Sequence, residues 1–174
     1  MTSDLRWQAN TMFICKKEMA KLWLLRRMKV LKLDKNIILD YYLREVRVLV
    51  EQGVAIWNAG LTRGQINDLE KIQKAALKII LGEEYLSYTS ACEQFDVIPL
   101  SERRLDLCKN YALKLYASDR SSDFFQHSTK DINTRGDQDP LLENICRTTR
   151  CYNAPHNYLT RLVNQNSDKL KQRK

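Results

Sequence analysis

Glycine and proline are scarce: five and three in 174 residues, and rarest where the apolar pattern is strongest. That argues against many short strands joined by tight turns and favours long helices. Histidine occurs only at His127 and His156, both in a stretch with little apolar pattern, which leaves imidazole chemistry little to build on. A Gly-rich phosphate loop, an HExxH pair and a Ser-centred nucleophile elbow are all missing. So is a twenty-residue apolar span, because Asp40, Arg44, Glu45, Arg47 and Glu51 break the richest candidate, Ile37 to Trp57. The opening MTSDLRWQAN holds no basic leader followed by an apolar run, so no secretory signal is expected.

What is present suits one domain with a tail. Hydrophobic residues make up 44% and charged residues 29%, as in ordinary globular proteins that bury a core. Of five cysteines, Cys15, Cys92 and Cys108 lie in helical patterns among apolar neighbours, where a reduced thiol packs as a small hydrophobe. Together with Cys146 and Cys151 the number is odd, which fits a reduced protein inside the cell, the nucleus included. The net charge of +8 is uneven. Residues 1–82 carry 15 basic and 8 acidic side chains, residues 83–140 carry 7 and 11, and residues 141–174 carry 7 and 2. Two basic blocks flanking an acidic middle point to nucleic acid or another anionic surface.

The most explicit stretch is Leu61 to Gly82. Thr62 and Gln65 have the spacing of a capping box, and Gly82 stands where a left-handed residue ends a helix. Ile66, Leu69, Ile72, Ala76, Ile79 and Ile80 recur at three- and four-residue steps on one face. Arg63, Lys71, Lys74 and Lys78 fall opposite, with Glu70 on their flank. One face is expected to pack on the Asp34–Trp57 segment, and the other offers positive charge to solvent or to a polyanion.

Before it, residues 4 to about 33 read as a helix capped by Ser3 or Asp4, with Met12, Cys15, Met19, Leu22, Trp23 and Val30 on one face. Phe13, Ala20, Leu24 and Leu31 widen that face. Lys16, Lys17, Lys21, Arg26, Arg27, Lys29, Lys32 and Lys35 make this the most basic run. Arg26 falls inside the apolar stripe. Its stem can pack there while the guanidinium reaches solvent or a carboxylate, or it can aim at a phosphate. Asp34 to Trp57 is apolar nearly all round, as a helix in the middle of a bundle is, with a strand over Val46–Trp57 as the weaker alternative.

After Gly82, Ser87 caps a short helix with Ala91, Cys92 and Phe95 inward, and Asp96–Leu100 is extended before Pro99. Ser101 caps a helix to about Ala117, with Leu105, Cys108, Ala112 and Leu115 as its stripe and Arg103, Arg104, Lys109 and Lys114 outside it or at its edges. Polar residues dominate from there to Asn153, and Pro155 can open a helix to Asn164. The expected fold is all-α: a bundle of three long helices plus a short helix and a further helix over 1–118. An irregular polar linker over 119–153 follows, then a short helix and basic tail over 154–174.

No cofactor and no metal site is expected. Cys146 and Cys151 with His127 and His156 have a Cys-x4-Cys-x4-His spacing unlike usual zinc sites. Asp119, Asp123, Asp131, Asp137 and Asp139 are scattered through the polar linker, where a two-metal site lacks the rigid carboxylates it needs.

Six stretches in the same order carry a resemblance. They are Leu22–Lys29 (LWLLRRMK), Trp57–Thr62 (WNAGLT), Leu69–Gly82 (LEKIQKAALKIILG), Tyr85 with Ser87-Tyr88 and Ala91-Cys92, Leu100–Arg104 (LSERR) with Leu107-Cys108, and Arg147-Thr148 with Arg150 and Tyr158–Leu162 (YLTRL) with Asn164. Together they resemble the region after the catalytic palm of non-LTR retrotransposon reverse transcriptases, which are RNA-directed DNA polymerases. The resemblance implies the thumb, a helical bundle beside the template–primer duplex, and a C-terminal extension. The paired-aspartate motif of the palm has no match here, so the resemblance implies a fragment that does not polymerise. It further implies partners: RNA, DNA or their hybrid, held through phosphates by Arg26, Arg27, Lys71, Lys74 and Lys78, with Arg103 and Arg104 as an extension. The alternative is a helical module that binds a protein or a second copy of itself through an exposed apolar flank around Trp7, Phe13 and Leu24. No membrane partner is expected.

Overall fold

The computed structural model describes residues 7–127 and 141–166, and among these it is all-α, with no β-strand. The helices are α1 (Gln8–Val30), α2 (Lys35–Tyr41), α3 (Arg47–Glu51), α4 (Val54–Trp57), α5 (Arg63–Leu81), α6 (Tyr88–Gln94), α7 (Leu100–Tyr116), α8 (Ser121–Phe124), α9 (Thr149–Tyr152) and α10 (Pro155–Asn164). Among the described residues no helix is long and apolar enough to cross a membrane. The expected caps at Ser3 and Asp4, the carboxylates of Asp131, Asp137 and Asp139, and the basic tail 169–174 lie outside the described residues. The described parts of residues 1–54 and 61–104 form one compact unit, and those of 55–60 and 105–174 another.

In the first unit α1 and α5 are the main packing pair, with α2 a lesser partner of α5. The expected packing of α5 on the Asp34–Trp57 segment is thus secondary to its packing on α1. α5 is as the sequence reads. The Gln65 amide donates to Thr62 Oγ1 at 3.3 Å, Gln65 Oε1 accepts from the Thr62 amide at 2.8 Å, and Gly82 ends the helix at φ 64°. Leu69, Ile72, Ala76, Leu77 and Ile80 are buried, while Ile66 and Ile79 sit at the margins. Each fully buried Leu or Ile contributes about 1.5–3 kcal/mol.

α1 turns inward a face rotated from the one expected, keeping Leu22 inside and Cys15 at its edge. Thr11, Ile14, Glu18, Leu22 and Leu25 are buried, and Met12, Met19, Trp23 and Val30 are exposed. Phe13, Ala20, Leu24 and Leu31, expected to widen that face, are exposed as well, so the buried line through Ile14 and Leu25 lies in neither expected strip.

The single long helix expected over Asp34–Trp57 is broken. α2, capped by Asp34 Oδ1 accepting from the Asn36 amide at 2.7 Å, runs into a π-helical turn over Tyr42–Val46. α3 follows, and the chain kinks where Gln52 is extended and Gly53 takes φ 64°. Ile38, Tyr42, Val46, Val50 and Val54 are buried, but Ile37, Val48 and Ile56 face solvent. A segment apolar all round is therefore only half covered.

The unit is pinned by a polar network centred on α5. Gln73 accepts from the Tyr42 hydroxyl at 2.9 Å and donates to the Tyr88 hydroxyl and the Ile98 carbonyl, both at 3.0 Å. Tyr88 donates to Glu70 Oε1. The Glu70 carboxylate also accepts from the amides of Leu100 at 2.9 Å and Ser101 at 3.0 Å, so it caps α7 across 30 residues of sequence, and Ser101, expected as the cap, is the second residue of the helix. Burial first, and hydrogen-bonding or charge on Glu70 after it, push the Tyr88 hydroxyl well above the phenol range.

In the second unit α10 lies where Pro155 predicts, with Leu159, Leu162 and Val163 buried. Asn164 holds the extended segment from Leu141, accepting from its amide at 3.2 Å and donating to its carbonyl at 3.1 Å. Leu142 donates to the Gln126 carbonyl at 2.8 Å, and the Phe124 ring meets Phe125 edge-on and His156 at a tilt, with centroids 4.9 and 5.1 Å away. Burial pushes the Tyr158 hydroxyl up to about 12, with Cys108 adding to the rise.

Candidate nucleic-acid interface

The basic residues singled out by sequence lie mostly on α1 and α5, and two anchors fix how these helices run. Near one end, burial raises the Cys15 thiol pKa, with Asp68 raising it further and Lys71 lowering it. Those two α5 side chains therefore sit close to Cys15. Near the other end, Lys29 Nζ donates to the Ile80 carbonyl at 2.5 Å, satisfying an orphan acceptor in the last turn of α5. α1 and α5 thus run side by side in the same direction.

Helical phase then builds the face. At about 100° per residue, Arg26, Met19 and Met12 follow Cys15 round α1 on the flank toward α5. Val30, Trp23 and Lys16 come next, and Arg27 lies beyond them. On α5, Lys71, Lys78 and Lys74 succeed one another outward from Asp68. Lys16, Arg26, Arg27, Lys71, Lys74 and Lys78 are all exposed. Against these six cations the face holds one acid, Asp68, because Glu18 on α1 and Glu70 on α5 are buried.

Aromatic rings are interleaved with the charges. The Arg27 guanidinium lies 5.8 Å from the Trp23 ring centroid, Lys17 Nζ 5.7 Å from that of Phe13, and Lys74 Nζ 5.1 Å from that of Tyr88. Trp23 and Phe13 are 61% and 60% exposed. Such rings hold a cation's position without neutralising it, so the charge stays available to a phosphate. Lys71 is different: it pairs with Asp68 at 2.8 Å, and that hydrogen bond raises its pKa, so it must trade a carboxylate for a ligand.

The seven expected contact residues divide. Arg26, Arg27, Lys71, Lys74 and Lys78 share the α1–α5 face. Arg26 is exposed there because the whole Met12–Met19–Val30 stripe is exposed, not because its stem threads a core. Arg103 is drawn into an ion pair with Glu51 at 3.1 Å, a carboxylate shared with Arg47. Arg104, expected outside the apolar stripe or at its edge, is 1% exposed. Of the expected stripe of α7, Cys108 and Ala112 are buried, but Leu105 is exposed and Arg104 takes the inward position before Cys108. Lys16 and Trp23 lie on this face but were not among the expected contact residues, and Phe13 was expected only in an apolar flank for a protein partner. The available signal was an aromatic four residues before a cation, Phe13 before Lys17 and Trp23 before Arg27.

Among the described residues, no three of His, Cys, Asp and Glu gather to hold a metal ion. No protein-family model, curated protein or solved structure matches the chain, so the resemblance to retrotransposon reverse transcriptases rests on the quoted residues alone.

Proposed function

We propose that the chain is a non-catalytic, thumb-like module that binds template–primer or another nucleic acid through its phosphates, using the α1–α5 face. The observation that carries this reading is that face: six exposed cations on two parallel helices, with one acid among them. Contacts of this kind are largely blind to base sequence and weaken steeply with salt. Arg104 has no part in them, and Arg103 joins only by leaving Glu51. Filter binding to an RNA–DNA hybrid tests the proposal with a Lys71/Lys74/Lys78→Glu triple variant. Binding should be lost at moderate salt, and a variant that binds as tightly as the parent sinks the reading.

A second reading has its own observation. Met12, Phe13, Met19, Trp23 and Val30 are exposed on one helix and Leu31 just past its end, more apolar surface than a solvated helix carries. A protein partner or a second copy of the chain would cover it. A dimer by light scattering that is insensitive to salt, with no affinity for nucleic acid, selects this reading over the first.

A further inference from the structure

Cys146 and Cys151 stand at the two ends of the turn that leads through α9 into α10. Their sulfurs are 3.0 Å apart, still longer than a disulfide bond of about 2.05 Å. One side chain of α10 holds both ends of the turn. Asn157, buried, donates through Nδ2 to the Cys151 carbonyl at 2.7 Å, and the same nitrogen lies 3.2 Å from Cys146 Sγ and 3.6 Å from Cys151 Sγ. Its Oδ1 accepts from Asn144 at 3.0 Å, which ties down the segment before Cys146. Thr148 Oγ1 accepts from the Cys151 amide at 3.2 Å and fixes the first turn of α9. The pair is therefore positioned by three hydrogen-bonding side chains, Asn144, Thr148 and Asn157, not merely adjacent.

Access differs between the two thiols. Cys151 is exposed, whereas Cys146 is half-buried beside a cavity of about 240 Å³ lined by Glu143, Tyr152, Thr160 and Arg161. The contact with Cys151, then burial, raises the Cys146 thiol above its ordinary range. An oxidant thus meets Cys151 first, with Cys146 waiting as the resolving thiol.

We propose that Cys146 and Cys151 are a redox-active dithiol that closes to an intramolecular disulfide when a peroxide-class oxidant reaches Cys151. The Cys151 thiolate attacks a peroxide oxygen, the O–O bond breaks, and a sulfenic acid and one water result. The Cys146 sulfur, giving up its proton, then attacks the sulfenic sulfur and expels the oxygen as a second water. In sum, two thiols and hydrogen peroxide give one disulfide and two waters. A small dithiol reverses the step by thiolate attack on the disulfide, leaving Cys146 and Cys151 reduced and itself oxidised. Closure covalently fixes the turn that Asn157 holds by hydrogen bonds alone, so the oxidised chain keeps its Leu141–Cys146 segment on α10 more tightly.

The test treats the full native chain with stoichiometric hydrogen peroxide, blocks remaining thiols with an alkylating agent, and maps tryptic peptides by mass. Arg147 and Arg150 lie between the cysteines, so trypsin separates them and the disulfide appears as a cross-linked peptide pair. The proposal expects that pair as the main product, intramolecular and lost on treatment with a dithiol reductant. It is overturned if Cys146 and Cys151 are recovered separately alkylated or over-oxidised, or if cross-links to Cys15, Cys92 or Cys108 are as abundant. Asn157→Ala should slow closure roughly tenfold by loss of a positioning hydrogen-bond donor. An unchanged rate would remove the built site from under the proposal.

Discussion

Replacing Glu70 by alanine takes three donors' acceptor away at once. The amides of Leu100 and Ser101 and the hydroxyl of Tyr88 all end on this buried carboxylate. Hydrogen bonds to a charged group contribute about 1.5–3 kcal/mol each, and the terms do not add fully. Water can reach Ser101, which is exposed, but Leu100 is fully buried, so its amide and the Tyr88 hydroxyl bear most of the cost. We expect Glu70→Ala to lose about 3–5 kcal/mol, a large part of the 5–15 kcal/mol typical of a domain. Glu70→Gln keeps one carbonyl oxygen for the α7 amides and should lose about 1–2 kcal/mol. Urea unfolding followed by circular dichroism measures both, provided the slopes match the parent's. A loss below about 1 kcal/mol for alanine, or equal losses for alanine and glutamine, would refute the role given to this carboxylate.

Three further outcomes follow from single residues. Glu18 is fully buried, with Lys21 at 3.3 Å and the charge of Lys17 to offset its own, and burial raises its pKa above the ordinary value despite both. The folded chain therefore holds that proton more tightly than the unfolded chain does, so this contribution is greatest in acid and is lost as pH rises through the raised value. Glu18→Met should gain about 1–3 kcal/mol at neutral pH and much less in acid, read as melting temperature against pH; a gain that does not vary with pH contradicts the assignment. Lys32 takes φ 57° just past the C-terminus of α1, so Lys32→Gly should stabilise by about 0.5–1 kcal/mol in urea unfolding, and a destabilised variant argues against that backbone. Lys29→Met removes the donor from the Ile80 carbonyl and should cost about 0.5–1.5 kcal/mol, with faster amide exchange in the last turn of α5 if the account holds and none if it does not.

What the sequence disclosed was local. The Thr62–Gln65 box, the Gly82 stop, the Ser87 cap and Pro155 at the start of α10 each act within four residues, and each is where the pattern puts it. What it concealed depends on distant partners. Glu70 reads as a flank residue of a basic face because the amides it caps lie 30 and 31 positions on. The inner face of α1 was ambiguous because Met12, Met19 and Trp23 are as apolar as Ile14 and Leu25, and only the position of α5 decides between them. Arg104 looked like surface because an arginine seldom lies inside; its line with Cys108 and Ala112 is set by the packing of α7. The basic side of α5 was legible from the spacing of Lys71, Lys74 and Lys78. Its junction with Arg26 and Arg27 was not, since that depends on two helices running in parallel.

The α1–α5 face is best tested by the salt dependence of binding to an RNA–DNA hybrid. If all six cations meet phosphates, the slope of log K against log salt should approach about −5, at roughly 0.9 per contact for a duplex. Neutralising Arg26 and Arg27 on one helix, or Lys74 and Lys78 on the other, should each reduce the slope by about 2. A flat slope for the parent chain, or one that neither pair of substitutions changes, contradicts a phosphate-binding role for this face.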